Sequence, residues 1–149
     1  MDDLNCARTC ADALYAADAA SRRLGIGIEV PAAGRATATM PVSAWMLNGH
    51  GLCHGGYIFT LADTAFAFAC NAYDDITVAA AASIEFLRPA AAGDELTAVA
   101  REIERRGRSG IYDVEVRNQA GQRVALFRGR AFATGRPLLG TGPGQHDTE

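Results

Sequence analysis

Asp63 stands in the most apolar stretch of the chain, residues 57–72, with Phe59, Leu61, Ala62, Phe66 and Ala67 as near neighbours. An ionised carboxylate is costly there unless it is paired, and the stretch has no basic residue to pair it. Two readings follow. Either the helix face meets water or a distant Arg, or the carboxylate is catalytic. Just upstream, the loop Asn48-Gly49-His50-Gly51-Leu52-Cys53-His54-Gly55-Gly56 ends in two glycines. Unpaired N–H groups at a helix start point outward, and the helix dipole there favours negative charge. Glycine lets a ligand come close to that backbone. Such a place can polarise a carbonyl and hold an oxyanion. The plainer alternative is that the glycines only shape a tight turn.

Gly55 and Asp63 are separated by eight positions, about 12 Å along one helix. A short aspartate side chain does not close that gap. Two such helices lying antiparallel across a two-fold axis would set Asp63 of one chain opposite Gly55 of the other, and an isologous dimer has that symmetry. If these residues form a site, the spacing points to a composite one at a dimer interface.

Other chemistries fit less well. His50, Cys53 and His54 are metal-ligand types, but a zinc site shows three or four ligands in paired spacings and no second cluster follows. His146 falls in a polar tail, and no metal is expected. Cys53 and His54 are adjacent, so they do not easily face each other as nucleophile and base. The glycine loop departs from G-x-G-x-x-G at His54. All 14 basic residues are arginines, so there is no Schiff-base amine and no phosphate-loop lysine. A net charge of −3 argues against a nucleic-acid partner. No apolar run approaches the ~20 residues that span a bilayer. Met1-Asp2-Asp3-Leu4 does not look like a signal peptide, and Cys6, Cys10, Cys53 and Cys70 read as reduced thiols of a cytoplasmic protein.

These residues need elements to position them. The 149 residues make one domain, expected over 1–135, with a frayed Gly- and Pro-containing tail over 136–149. Residues 5–24 read as one helix, with Gly25 as its stop. Two strand-like pieces, 26–31 and 35–42, follow around a hairpin turn at Ala32-Ala33-Gly34. Residues 57–72 are too long for a typical strand and apolar nearly all round, the pattern of a buried helix. Four β-segments close the set at 78–87, 94–104, 111–117 and 124–133. Successive segments joined by short turns are expected to pair antiparallel. The fold class is α+β, a curled antiparallel sheet wrapped around one long central helix. Trp45 and Met46 are expected to pack under the loop, with lining of an acyl pocket as the alternative.

The run His54-Gly55-Gly56-x-x-x-x-Leu61-Ala62-Asp63, with Asn48-x-x-Gly51 before it and Thr64-Ala65 after it, resembles the signature of hotdog-fold acyl-CoA thioesterases. With Ile84-Glu85-Phe86-Leu87-Arg88-Pro89 and Val124-Ala125-Leu126-Phe127-Arg128-Gly129, it resembles the phenylacetic acid degradation thioesterase family over roughly residues 14–133. The resemblance implies hydrolysis of aryl or phenylacetyl-type CoA thioesters, with no cofactor beyond the coenzyme A of the substrate. Asp63 would be nucleophile or general base, and the Gly55 N–H would hold the thioester oxygen. Asn48 would orient the catalytic region, His54 would position the loop by hydrogen bonding, and Thr64 would line the partner's pocket. Arg88 and the turn Gly107-Arg108-Ser109 would take the nucleotide end, with Arg106 beside them. Arginine suits that task because its planar fork binds phosphate through paired hydrogen bonds. Some relatives carry a hydroxyl residue at the position of Ala79, so no side chain is expected there to hold the attacking water. A homodimer or homotetramer is implied. A hotdog hydratase, or a non-catalytic acyl-CoA binding protein, is the alternative.

Overall fold

Asp2 opens the first helix, α1 (Asp3–Ala17), by accepting a 2.7 Å hydrogen bond from the Asn5 N–H. The single helix expected over 5–24 is broken at Asp18. There the backbone leaves the helical region (φ −91°, ψ 82°), and the carboxylate caps a second helix, α2 (Ala19–Arg23), by accepting from the Ser21 N–H at 3.0 Å. Aspartate competes with the helix backbone in an interior and satisfies it at an N-cap, which is why the break falls there. The structure is a computed structural model and describes residues 1–140.

A hairpin follows, β1 (Gly27–Ala32) and β2 (Arg35–Pro41), turned by Ala33 and by Gly34 at φ +78°. A short 3-10 turn over Ala44–Met46 leads into the glycine loop and α3 (Gly55–Cys70). Four strands complete the chain: β3 (Thr77–Phe86), β4 (Glu95–Arg106), β5 (Ser109–Arg117) and β6 (Arg123–Ala133). They form one six-stranded sheet in the order β1-β2-β4-β5-β6-β3, antiparallel at every pairing.

This order corrects the expectation that successive strands pair. β3 and β4 do not touch as neighbours; β3 takes the far edge beside β6, and β4 lies against β2. Residues 87–94 are used as a crossover and not as a hairpin. Leu87 N–H bonds the Val124 carbonyl at 2.8 Å, Cys53 N–H bonds the Ala90 carbonyl at 2.8 Å, and Val42 N–H bonds the Asp94 carbonyl at 2.8 Å. The segment is thereby stitched from β6, past the glycine loop, to the end of β2.

The sheet wraps α3 on one side. Ile58, Leu61, Ala62, Ala65, Phe66, Phe68 and Ala69 are buried against Ala36, Ala38 and Met40 of β2, Leu96, Ala98 and Ala100 of β4, and Tyr112, Val114 and Val116 of β5. The alanines keep the sheet surface low, so the helix sits close to it. The circumference of α3 is not buried all round. A single open sheet leaves Gly56, Phe59, Thr60, Asp63 and Ala67 partly uncovered, a stripe at helical spacing. Gly129 on β6 lies under this packing: a Cβ built there would be 2.8 Å from the Phe66 ring. Gly129→Ala is expected to destabilise the protein by roughly 1–3 kcal/mol, the usual cost of overpacking, read from denaturant midpoints at constant m.

All four cysteines are free thiols. Gly135 and residues 136–139 of the expected tail are tied down by Asp74 and by residues 75–76. Gly135 N–H donates to the Asp75 carboxylate (2.8 Å), Ile76 N–H to the Arg136 carbonyl (2.7 Å), and Leu139 N–H to the Asp74 carboxylate (2.7 Å). The rest of that tail, 141–149 with His146, lies outside the described residues. Among the described residues no helix is long and apolar enough to cross a membrane.

Candidate active site

The glycine loop is built around Asn48. Its side-chain oxygen accepts from the N–H groups of His50 (2.9 Å) and Leu52 (3.2 Å), and its own N–H donates to the Leu52 carbonyl at 2.7 Å. This closes an Asx-type turn, which Gly51 completes at φ +75°. Trp45, expected beneath the loop, is 59% exposed and packs edge-on to Tyr57, while Met46 is buried. Cys53 is buried at the end of the loop; burial pushes its thiol up, so it stays protonated and is a poor nucleophile.

His54 is the N-cap of α3. Its Nδ1 accepts from the Gly56 N–H at 2.9 Å, which places the proton of the neutral ring on Nε2, and its carbonyl accepts from the Tyr57 N–H at 2.9 Å. The first N–H groups of the helix are thus divided. Those of Gly56 and Tyr57 are bonded to His54; that of Gly55 has no acceptor among the described residues. Gly55 faces a cavity of about 290 Å³ lined by Asn48, Cys53, Ile58, Phe86 and Arg88, among others. A Cβ at residue 55 would lie 3.1 Å from the Phe86 ring and would press on it by a few tenths of an ångström. Arg88 is fixed at the rim by a 2.9 Å bond to the Arg123 carbonyl.

Asp63 is in the middle of the uncovered stripe of α3. Burial pushes its carboxyl above the ordinary carboxylate range, and no hydrogen bond or ion pair reaches it among the described residues. Thr64, beside it, turns inward and donates to the Thr60 carbonyl at 2.6 Å. Cys70, further along, is held at about 12 chiefly by burial and remains a thiol.

One chain brings together Asn48, His54, Gly55 and Arg88. It does not bring Gly107, Arg108 and Ser109 to them. Ser109 is two strands in from Thr77 at one end of β3, and Phe86 is at the other end. Nine residues of extended strand separate those ends by roughly 30 Å. Arg108 folds back toward the Thr134 carbonyl at 3.5 Å. Ala79 lies on β3 opposite Ala131 and offers no polar side-chain atom. Among the described residues, no group of three His, Cys, Asp or Glu side chains could hold a metal ion.

Phe86 and Cys53 also line the cavity; residue type points to Cys53 only as a metal ligand or nucleophile, and nothing in the sequence marks Phe86 as a lining residue. Residues 78–87 are nearly all small or apolar, so alternation could not say which faces the helix.

Comparison with known proteins agrees with this architecture. The sequence pattern of the thioesterase superfamily matches residues 50–125. The acyl-coenzyme A thioesterase PaaI of Escherichia coli is 49% identical over 130 residues, covering 87% of this chain and 93% of that protein. The structure of the E. coli PaaI protein from the phenylacetic acid degradation operon superposes with a TM-score of 0.89 at 47% identity, covering 91% of this chain and 99% of that one. A Streptococcus mutans structure with acetyl CoA bound superposes at a TM-score of 0.71 and 30% identity, over 75% of this chain and 90% of that one. By matched pattern, identity and shared architecture, this chain belongs to the thioesterase superfamily and has its hotdog fold.

Proposed function

We propose that this chain is an acyl-CoA thioesterase that hydrolyses phenylacetyl-type thioesters to free acid and coenzyme A. The observation that carries the reading is the unbonded Gly55 N–H in a cavity at the start of α3, in a chain whose uncovered helix stripe holds the unpaired carboxylate of Asp63. The N–H binds the thioester oxygen and strengthens its grip as charge develops there. Asp63 either takes a proton from the attacking water or adds to the carbonyl itself. Water's oxygen ends in the carboxylic acid, and the thiolate leaves with a proton as coenzyme A. The similarity to PaaI supports the substrate class.

The two groups meet between subunits. β3 is an edge strand of ten residues, TVAAAASIEF, largely exposed and without the Lys, Pro or inward charge that blunts free edges. Pairing it antiparallel with β3 of a second copy buries it. The same two-fold sets the uncovered stripes of α3 together, with Asp63 of one chain facing Gly55 of its partner. It also carries the 107–109 turn of the partner toward the Phe86 end, where Arg88 stands. The active unit is thus a homodimer, with a tetramer made from two of them. Four free thiols suit a reducing cytoplasm. The reaction calls for water and no further cofactor.

Release of free thiol from a panel of acyl-CoAs tests this. Phenylacetyl and ring-hydroxylated phenylacetyl forms are expected to turn over fastest. The rate should fall as pH drops, because protonated Asp63 can neither accept a proton nor attack. Since burial raises that carboxyl, the acid limb should lie above the ordinary carboxylate pKa. No thiol release from any acyl-CoA would overturn the reading in favour of a binding protein.

A further inference from the structure

We propose that Glu102 is a positioning residue that aims the tip of the β4–β5 hairpin at the nucleotide end of coenzyme A; this rests on the thioesterase reading and on the tip's role in it. Residues 103–109 are all exposed, so no buried core fixes the tip; on the β6 side it is held by the Ala133 N–H, which donates to the Arg108 carbonyl at 2.7 Å. The strand register also slips between Glu102 and Glu104, a bulge that lets the hairpin bend at its base.

At that bulge sits a three-way clamp. One oxygen of Glu102 accepts from the Tyr112 hydroxyl on β5 and from the Tyr73 hydroxyl just beyond α3, both at 2.8 Å. Arg105, already in the tip, lies with its guanidinium carbon 3.6 Å from the centroid of the Tyr73 ring. The clamp therefore ties the end of the central helix to both strands of the hairpin and to the first residues of its tip. Glycines make room for it. A Cβ at Gly34 would lie 3.0 Å from the Tyr73 hydroxyl, and one at Gly110 would lie 2.8 Å from the Tyr112 ring. Both phenols remain donors, since burial and the Glu102 carboxylate push them up, Tyr73 to about 12 and Tyr112 higher. Hydrogen bonds to an ionised acceptor are the strong and directional kind. An apolar residue would fill the same space at no desolvation cost, so the carboxylate contributes direction more than packing.

Glu102 touches no substrate in this account, so its effect is on binding of the nucleotide and not on chemistry. Steady-state kinetics with phenylacetyl-CoA and with the phenylacetyl thioester of pantetheine, which lacks the nucleotide, separates the two. Tyr73→Phe is expected to raise KM for phenylacetyl-CoA about tenfold, the size of one lost hydrogen bond to a charged group, and Glu102→Ala, which loses two, by at least as much. Their kcat, and their kcat/KM for the pantetheine thioester, should match wild type. Glu102→Gln, whose amide oxygen still accepts from both hydroxyls, should recover most of the loss. An unchanged KM, or an equal loss on both thioesters, overturns the proposal. Arg108→Ala locates the failure. If it raises KM for phenylacetyl-CoA and Glu102→Ala does not, the clamp alone is wrong. If neither variant moves KM, the tip does not bind the nucleotide and the inference falls with that role.

Discussion

Asp63→Asn is expected to lower kcat for thioester hydrolysis by roughly 10²–10⁴-fold, the range removed when a positioned acid–base group is lost, with KM for the acyl-CoA little changed. Asparagine keeps the shape and loses the charge, the basicity and the nucleophile. The same change is expected to stabilise the fold at neutral pH. The folded-state pKa of Asp63 is raised by burial, so in the window between its unfolded and folded values the native protein holds more protons than the unfolded chain. Wild-type stability therefore falls as pH rises through that window, and the ionised carboxylate is a burden above it. Asp63→Asn has no such term. Its gain in Tm should be absent at acid pH and present at pH 7. A carboxylate that costs stability and has no partner among the described residues is explained if its task is chemical. Full turnover in Asp63→Asn would make Asp63 structural, and no gain in Tm would mean that burial is not what sets its pKa.

Gly55→Pro is expected to cost about 10²–10³ in kcat, the loss seen when one oxyanion donor is removed. Proline at the first position of a helix deletes only an N–H that has no acceptor in the helix. The preceding residue must be extended, and His54 already is, at φ −59° and ψ 131°. The new Cβ would stand 3.1 Å from the ring of Phe86, which is half exposed and free to move by a few tenths of an ångström. Gly55→Ala adds the same Cβ and keeps the N–H, so it should retain most of the activity. Equal losses in the two variants would show that the Phe86 contact matters and the N–H does not.

The residues that can be read locally were legible in the sequence. A carboxylate in an apolar helix, a glycine pair at its start and a spacing too long for one chain's geometry are all short-range facts. The structure adds the division of labour between Gly55 and Gly56, which depends on the His54 ring capping one N–H and leaving the other. Asp18 carries a weaker local signal, because the alanines on both sides of it continue the helical pattern while its carboxylate ends it. The crossover of β3 to the far edge was not legible, since it depends on backbone bonds from 87–94 to Val42, Cys53 and Val124. The Glu102 clamp was not legible either. Tyr73 and Glu102 are 29 residues apart, and Glu102 sits in a run of alternating charges that reads as a solvated strand end.

In the proposed dimer each active site is shared between two subunits. Asp63→Asn and Gly55→Pro, each inactive alone, can be unfolded together, refolded as a mixture and assayed for thiol release from phenylacetyl-CoA. In a mixed dimer, one site contains both changes and the other contains neither. Random pairing puts half of the dimers in the mixed form, so the mixture should recover about a quarter of wild-type activity. If Gly55 and Asp63 of the same chain formed the site, every site would carry one lesion, and the mixture would stay as inactive as its parents.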